Sequence, residues 1–144
     1  MHGTKPITKT VQLTNRVAKI VVFDFMQQCV SLLSDKILMQ DENLVLGDDP
    51  TAKPPCPGGE LGELNTGSCY RRAYKNLVKH EDDFLCPLAF FIDKTFVDLQ
   101  SRNNSEPVVF TFTIFNRKTR RQHRAWRPLG FVADLNLQSS AQGR

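Results

Sequence analysis

One carboxylate stands at the end of a strand-length apolar run, where it is well placed to do chemistry. The stretch Leu88-Ala-Phe-Phe-Ile92 contains no polar residue, which is typical of a strand buried on both faces, and Asp93 follows it directly. A carboxylate at the end of a central strand is a common ligand for Mg²⁺, because the strand holds it rigidly. An isolated Asp in this position also serves as an ordinary strand terminator. Spacing alone leaves both interpretations of Asp93 open.

A second candidate site is a concentration of positive charge nearer the C-terminus. Arginine binds phosphate through a fixed fork of donors, and a tryptophan among arginines can stack on a base. Trp126 is such a residue, although the alternative is a solvated hairpin tip in which Trp126 packs inward. Six of the 19 lysines and arginines lie in this segment, and the sequence predicts that they bind nucleic acid: Arg117, Lys118, Arg120, Arg121, Arg124 and Arg127.

The composition restricts the class of protein. The net charge of +4 and the pI near 9.0 are only mildly basic, so the local concentration matters more than the sum. Four cysteines occur without a close pair, which argues against a zinc finger. The first 16 residues lack a signal-peptide core, and no stretch approaches the roughly 18 apolar residues of a membrane span. We therefore expect an intracellular protein, nuclear if it acts on DNA.

The elements that must position these residues fall into three segments. Residues 1–46 are expected to be a polar tail followed by a helix over 15–33. Residues 47–62 hold four of the eight prolines and four of the eight glycines, which predicts a linker. Residues 63–144 begin with a second helix near Thr66 that runs to Lys79. Its predicted buried stripe consists of Tyr70, Ala73, Tyr74, Leu77 and Val78.

After residue 85 the apolar period changes from 3.6 to 2, which predicts strands over 85–92, 108–115 and 129–133. The expected fold class is α+β, with N-terminal helices and a three-strand antiparallel meander.

Three segments together resemble a known family. They are Phe91-Ile-Asp-Lys-Thr95, the strand from Glu106 to Arg117, and Ala125-Trp-Arg-Pro-Leu-Gly-Phe-Val132. This ordered series is similar to the start of the catalytic core of Plavaka-type transposases, in the CACTA-like group, and especially to transposon-derived proteins of algal, diatom-like genomes. The resemblance covers residues 31–134.

The resemblance implies the first half of a ribonuclease-H-like fold, in which three acidic residues hold two Mg²⁺ ions for DNA strand cleavage and transfer. Asp93 matches the first acid and would bind Mg²⁺ weakly as a remnant. The second and third acids belong to elements that follow the third strand, and Asp98 and Glu106 lie in the wrong element to replace them. Two-metal catalysis needs carboxylates on both ions, so we expect a truncated transposase-derived protein that is inactive alone.

Two alternatives remain open. The chain is a small basic nucleic-acid-binding module, or it is a partner-binding protein that uses an exposed strand edge. Without the family's fourth strand, the strand over 88–92 has one unpaired edge, which favours self-association or binding to a full-length relative.

Overall fold

The structure is a computed structural model that describes residues 5–13, 16–45, 63–92, 95–96 and 103–135. Asp93 and the predicted linker at 47–62 lie outside these residues. Mixed helix and antiparallel sheet confirm the α+β class. The strands are β1 (Ile7–Leu13), β2 (Arg16–Val22), β3 (Leu88–Ile92), β4 (Thr95–Phe96), β5 (Asn103–Phe112) and β6 (Arg127–Leu135). The helices are α1 (Phe25–Leu33), α2 (Ser68–Leu77) and the single-turn α3 (Arg117–Arg120).

The main path of the sheet has the order β1-β2-β6-β5-β3, and β4 also pairs with β5. The three strands expected from the sequence, β3, β5 and β6, are therefore neighbours in chain order, as in a meander. β2 pairs antiparallel with β6, with Ile20 opposite Val132 and Val22 opposite Gly130. A side chain at position 130 would force the backbone to shift, because an added Cβ would lie 2.5 Å from the carbonyl oxygen of Val21.

The prediction of a polar tail and a helix over 15–33 is wrong before residue 25. β1 and β2 form an antiparallel hairpin in register from Ile7↔Val22 to Leu13↔Arg16. The apolar positions of β2 fit both periods over so short a stretch, and its valines and isoleucine favour a strand once a partner is present. The helix begins at Phe25, where the Asp24 carboxylate accepts a hydrogen bond from Gln27 N at 2.8 Å.

The chain forms two compact units. Unit 1 comprises Met1–Cys29, Phe90–Phe110 and Pro128–Arg144, and unit 2 comprises Val30–Ala89 and Thr111–Arg127. In unit 1 the Phe110 ring packs against Phe25 and Phe90, with centroids 5.4 Å and 6.4 Å away. Among the described residues of unit 2, the buried apolar ones are Leu32, Leu38, Leu44, Tyr70, Phe112, Ile114, Phe115 and Ala125.

The second helix is confirmed in place, since α2 spans most of the predicted segment. The predicted buried stripe of this helix is only partly correct, because Tyr70 is buried but Leu77, in the last turn, is 65% exposed. β5 ends at Phe112 rather than at residue 115, and the chain turns at Thr113 and Ile114.

The prediction that the strand over 88–92 is buried on both faces is wrong. Phe90, Phe91 and Ile92 are 56%, 52% and 61% exposed. An apolar composition does not show which elements cover a strand, and β3, as the last strand in the sheet order, has a neighbouring strand on one side only. The strand whose composition is typical of a central strand is an edge strand in the part of the sheet that the structure describes.

Candidate nucleic-acid interface

The basic segment, residues 117–127, lies in unit 2 and has more regular structure than a hairpin tip. It consists of α3, a 3₁₀ turn at His123–Ala125 and the first residue of β6. Its six cations therefore have fixed positions on a short folded segment. Their contacts divide these cations into two groups.

The start of α3 is fixed by Asn116. Its Oδ1 accepts a hydrogen bond from Thr119 N at 2.9 Å, which is the usual role of a helix N-cap. Asn116 Nδ2 donates to the carbonyl oxygen of Glu42 at 2.7 Å, and Asn116 N donates to that of Asn43 at 2.8 Å. The buried Thr119 hydroxyl donates to Asn43 Oδ1 at 3.0 Å. These bonds attach α3 to the 3₁₀ turn at Asp41–Asn43.

Arg120 turns back into unit 2. Its Nη2 lies 2.6 Å from Glu63 Oε2, and its Nη1 donates to the carbonyl oxygen of Phe115. Glu63 Oε1 accepts a hydrogen bond from Arg117 N at 2.8 Å. Burial raises the pKa of Glu63, but the hydrogen bonds from Arg120 and Arg117 outweigh that effect and hold the pKa below its ordinary value. Glu63 and Arg120 therefore act as a clamp on α3.

Arg124 forms a two-bond ion pair with Asp35. Both the Nε–Oδ2 and the Nη2–Oδ1 distances are 2.7 Å, a geometry that carboxylate and guanidinium favour. Asp35 Oδ1 also accepts from Ile37 N at 3.0 Å and Leu38 N at 3.3 Å. The Arg124 hydrogen bond, with those backbone bonds, lowers the pKa of Asp35, and Asp35 in turn raises the pKa of Arg124.

Arg127 is also used within the fold. Its Nε donates to Ser31 Oγ at 3.0 Å, and its Nη1 donates to the carbonyl oxygens of Arg124 and Trp126 at 2.7 Å and 3.0 Å. Burial is the main cause that lowers the pKa of Arg127 from its ordinary value. We call Arg120, Arg124 and Arg127 the clamped cations, because their guanidinium groups bond to other parts of unit 2.

The remaining three cations, Arg117, Lys118 and Arg121, have exposed side chains. Their side chains donate no hydrogen bond to the part of the chain that the structure describes, although the charge of Arg117 contributes to lowering the pKa of Glu63. We call them the outward cations. They are consecutive or nearly so on α3 and the residue after it, and this helix is fixed by Asn116 and Arg120.

Trp126 combines features of both interpretations. Its indole Nε1 donates to the carbonyl oxygen of Arg120 at 2.6 Å, while its ring is neither fully buried nor fully exposed. The side chain is thus held by its polar atom, so that any stacking role is limited to the exposed part of the ring.

Sequence reasoning missed the partners of the clamped cations. Glu63 and Asp35 lie 57 and 89 positions away from Arg120 and Arg124, and no local pattern relates them. Asn116 could have been found, because an Asn directly before a helical segment is a common N-cap. For metal binding, the residues that the structure describes contain no group of three or more His, Cys, Asp or Glu side chains suited to a metal ion.

No protein-family model, curated protein or solved structure matches this chain. In the described ranges, no helix is long and apolar enough to cross a membrane.

Proposed function

We propose that this chain is a nucleic-acid-binding protein that contacts phosphate groups through the outward cations, Arg117, Lys118 and Arg121. The observation that carries the proposal is the division of the basic segment. Three of its six cations bond within unit 2, and the other three are exposed on the segment that those bonds hold in place.

The physical argument is one of preorganisation. Exposed cations on a free loop lose conformational freedom when they bind, whereas cations on an anchored helix lose less. Three neighbouring positive charges match the repeated negative charge of a nucleic-acid backbone. Contacts of this kind carry no sequence information, so binding is expected to be independent of base sequence. A role on DNA implies a nuclear location.

We further propose that this function derives from a Plavaka-type, CACTA-like transposase. The adjacency of β3, β5 and β6 supports this, since the first three strands of a ribonuclease-H-like core are also neighbours in chain order. One feature departs from the resemblance: the β1–β2 hairpin extends the sheet beside β6, whereas the family's fourth strand would lie beside β3. Under this proposal Asp93 is a remnant of the first acid with weak affinity for Mg²⁺, and the chain alone does not cleave DNA.

Fluorescence anisotropy of a labelled duplex, measured across a range of salt concentrations, tests the phosphate-binding proposal. Each phosphate contact contributes about 0.9 to the slope of log K against log salt, so replacing all three outward cations by Ala should flatten the slope by about 2.7. The matched control removes three exposed lysines of unit 1, Lys5, Lys9 and Lys19. An equal change in both variants would show that only net charge matters and would contradict the proposal.

A second candidate function is partner binding at β3. It is favoured by the terminal place of β3 in the sheet order and by the exposure of Phe90, Phe91 and Ile92. The partner we propose is a second copy of this chain, because two identical uncharged strands can pair antiparallel about a two-fold axis. Sedimentation velocity over a range of protein concentrations tests it, and a monomer throughout would count against it.

A further inference from the structure

Helix α2 carries a second concentration of positive charge in unit 2, outside the basic segment. Its ten residues include Arg71, Arg72 and Lys75 but no aspartate or glutamate. The side chains of Arg72 and Lys75 are exposed, and within the ranges that the structure describes they form no hydrogen bond or ion pair. These two cations are therefore available to an anionic partner.

Helix geometry places both cations on the same side of α2. Tyr70 is buried and its ring lies 6.3 Å from that of Tyr74, so the two tyrosines mark the inner face of the helix. Each residue of an α-helix turns by about 100°, which puts Arg72 and Lys75 roughly 200° and 140° around the axis from Tyr70. The two cations therefore lie opposite the inner face.

Two exposed neutral residues, Ser68 and Asn76, lie on the same side, at roughly 160° and 240° from Tyr70. We call Ser68, Arg72, Lys75 and Asn76 the α2 face. All four side chains can donate hydrogen bonds, and none of them carries a negative charge.

The chemistry of the α2 face favours phosphate over a peptide. Phosphate oxygens accept hydrogen bonds from arginine, lysine, serine and asparagine side chains, which are the residue types of this face. A peptide interface is normally anchored by a buried aromatic or apolar side chain, and the α2 face offers none. Leu77 is exposed, but it lies roughly 20° from Tyr70 around the axis, on the other side of the helix.

The chain connects α2 closely to the helix that carries the outward cations. Glu63 accepts a hydrogen bond from Arg117 N at 2.8 Å, and Ser68 follows Glu63 by five positions. Because an extended chain spans at most about 3.5 Å per residue, the Cα atom of Ser68 lies within about 18 Å of that of Glu63. Phosphates of one strand in a duplex are about 3.4 Å apart along the axis, so this distance corresponds to roughly five base pairs.

We propose that the α2 face is a second phosphate-contact surface of unit 2, through which Arg72 and Lys75 bind the backbone of a nucleic acid. This inference rests on the proposed function and extends it, since the outward cations then supply only part of the phosphate contacts. Arg72 and Lys75 are preorganised in the same way, because the helix that carries them packs into unit 2 through Tyr70.

Salt-dependent fluorescence anisotropy with a labelled duplex tests the α2 face separately from the outward cations. Arg72→Ala combined with Lys75→Ala should flatten the slope of log K against log salt by about 1.8. The matched control, Lys9→Ala with Lys19→Ala, removes the same charge from exposed positions of unit 1 and should change the slope less. Both α2 substitutions should leave the circular dichroism spectrum unchanged, because alanine favours a helix and the replaced side chains are exposed.

The outcomes separate this inference from the proposed function. If the outward-cation variant flattens the slope and the α2 variant does not, the inference is overturned and the proposed function stands. If neither variant changes the slope, both are wrong. An equal change in the α2 variant and its unit 1 control would show an effect of net charge alone and would also overturn the inference.

Lysine acylation, read by mass spectrometry of the intact wild-type chain with and without the duplex, gives a direct readout. Bound nucleic acid should lower the reactivity of Lys75 and leave that of Lys9 and Lys19 unchanged. Arg72→Lys combined with Lys75→Arg keeps both charges and should retain the wild-type slope. Full reactivity of Lys75 in the complex would overturn the proposal.

Discussion

The basic segment and β3 both differ from what their compositions suggest about which residues are accessible. The basic segment is rich in charge, yet half of its cations bond within unit 2 to Glu63, Asp35 and Ser31. β3 is entirely apolar, yet its last three residues are more than half exposed. Charge in one region contributes to folding, and apolar surface in the other remains accessible. Composition alone therefore does not indicate which residues of this chain are accessible to a partner.

The difference has a physical origin in what each group can bond to. A guanidinium near a carboxylate and several carbonyl oxygens gains charge-assisted hydrogen bonds that hold it in the fold. An apolar side chain is buried only if another element covers it, and β3 is the terminal strand of the described sheet. β1, at the other end of the order, carries Lys9 in its middle, a charge that discourages pairing with another chain.

The largest expected effect is on self-association through β3. Ile92→Lys places a charge on the edge strand and should abolish a concentration-dependent dimer in sedimentation velocity. Ile7→Lys makes the same change at an exposed residue of β1 and should leave association unchanged. Phe90→Lys should act in the same direction as Ile92→Lys, with an added loss of stability because Phe90 packs on Phe110. If the wild type and both β3 variants sediment as monomers, β3 does not mediate self-association and the prediction is wrong.

The next largest expected effect is on the free energy of unfolding, through the ion pair between Glu63 and Arg120. Arg120→Ala leaves Glu63 and the Phe115 carbonyl without their shared partner and should lower the free energy of unfolding by about 2 kcal/mol. Urea unfolding followed by circular dichroism measures it. Arg124→Ala should lower stability less, because Arg124 is exposed and solvent screens its ion pair with Asp35. Wild-type stability in Arg120→Ala would show that this cation is not needed for the fold.

A smaller effect is expected on acid stability. The pKa values of Glu63 and Asp35 lie below their ordinary values in the folded chain, so the unfolded chain takes up protons first as pH falls. Their contribution to stability is therefore complete above the unfolded carboxyl pKa, near pH 4, and decreases as pH falls through the folded pKa values. Thermal unfolding from pH 7 to pH 2.5 should show this decline. Arg120→Ala and Arg124→Ala should make it shallower, and an unchanged profile in both would contradict the assignment.

The smallest expected effect is the stability of the variant that lacks the outward cations. Replacing Arg117, Lys118 and Arg121 by Ala should change the free energy of unfolding by no more than about 0.5 kcal/mol, since their side chains are exposed. The same variant should flatten the salt dependence of DNA binding by about 2.7 in the slope of log K against log salt. A stability loss as large as that of Arg120→Ala would show that these residues also stabilise the fold, and the distinction between outward and clamped cations would be wrong.

Part of the fold could be predicted because it depends on local pattern. The helical period of residues 68–77 and the alternation around Val108 to Phe112 led to α2 and β5 within a few residues. The short N-terminal strands could not be predicted, because Ile20, Val21 and Val22 fit a helical and an extended period equally well. Their pairing with β1 decides between the two.

The candidate site shows the same limit. The sequence located the six cations, because a concentration of Arg and Lys is visible without any structure. It could not divide them, since the partners of Arg120 and Arg124 come from distant positions and only folding brings them within 3 Å.

By itself, therefore, the sequence determined the α+β class, the adjacency of β3, β5 and β6, and the place where positive charge accumulates. These depend on periodicity and composition, which are properties of neighbouring residues. The tertiary structure decided that the last three residues of β3 are exposed, that Arg120, Arg124 and Arg127 bond within unit 2, and that Arg117, Lys118 and Arg121 face solvent. Those outcomes depend on contacts between residues far apart in the chain, and long-range contacts leave no local pattern in a single sequence.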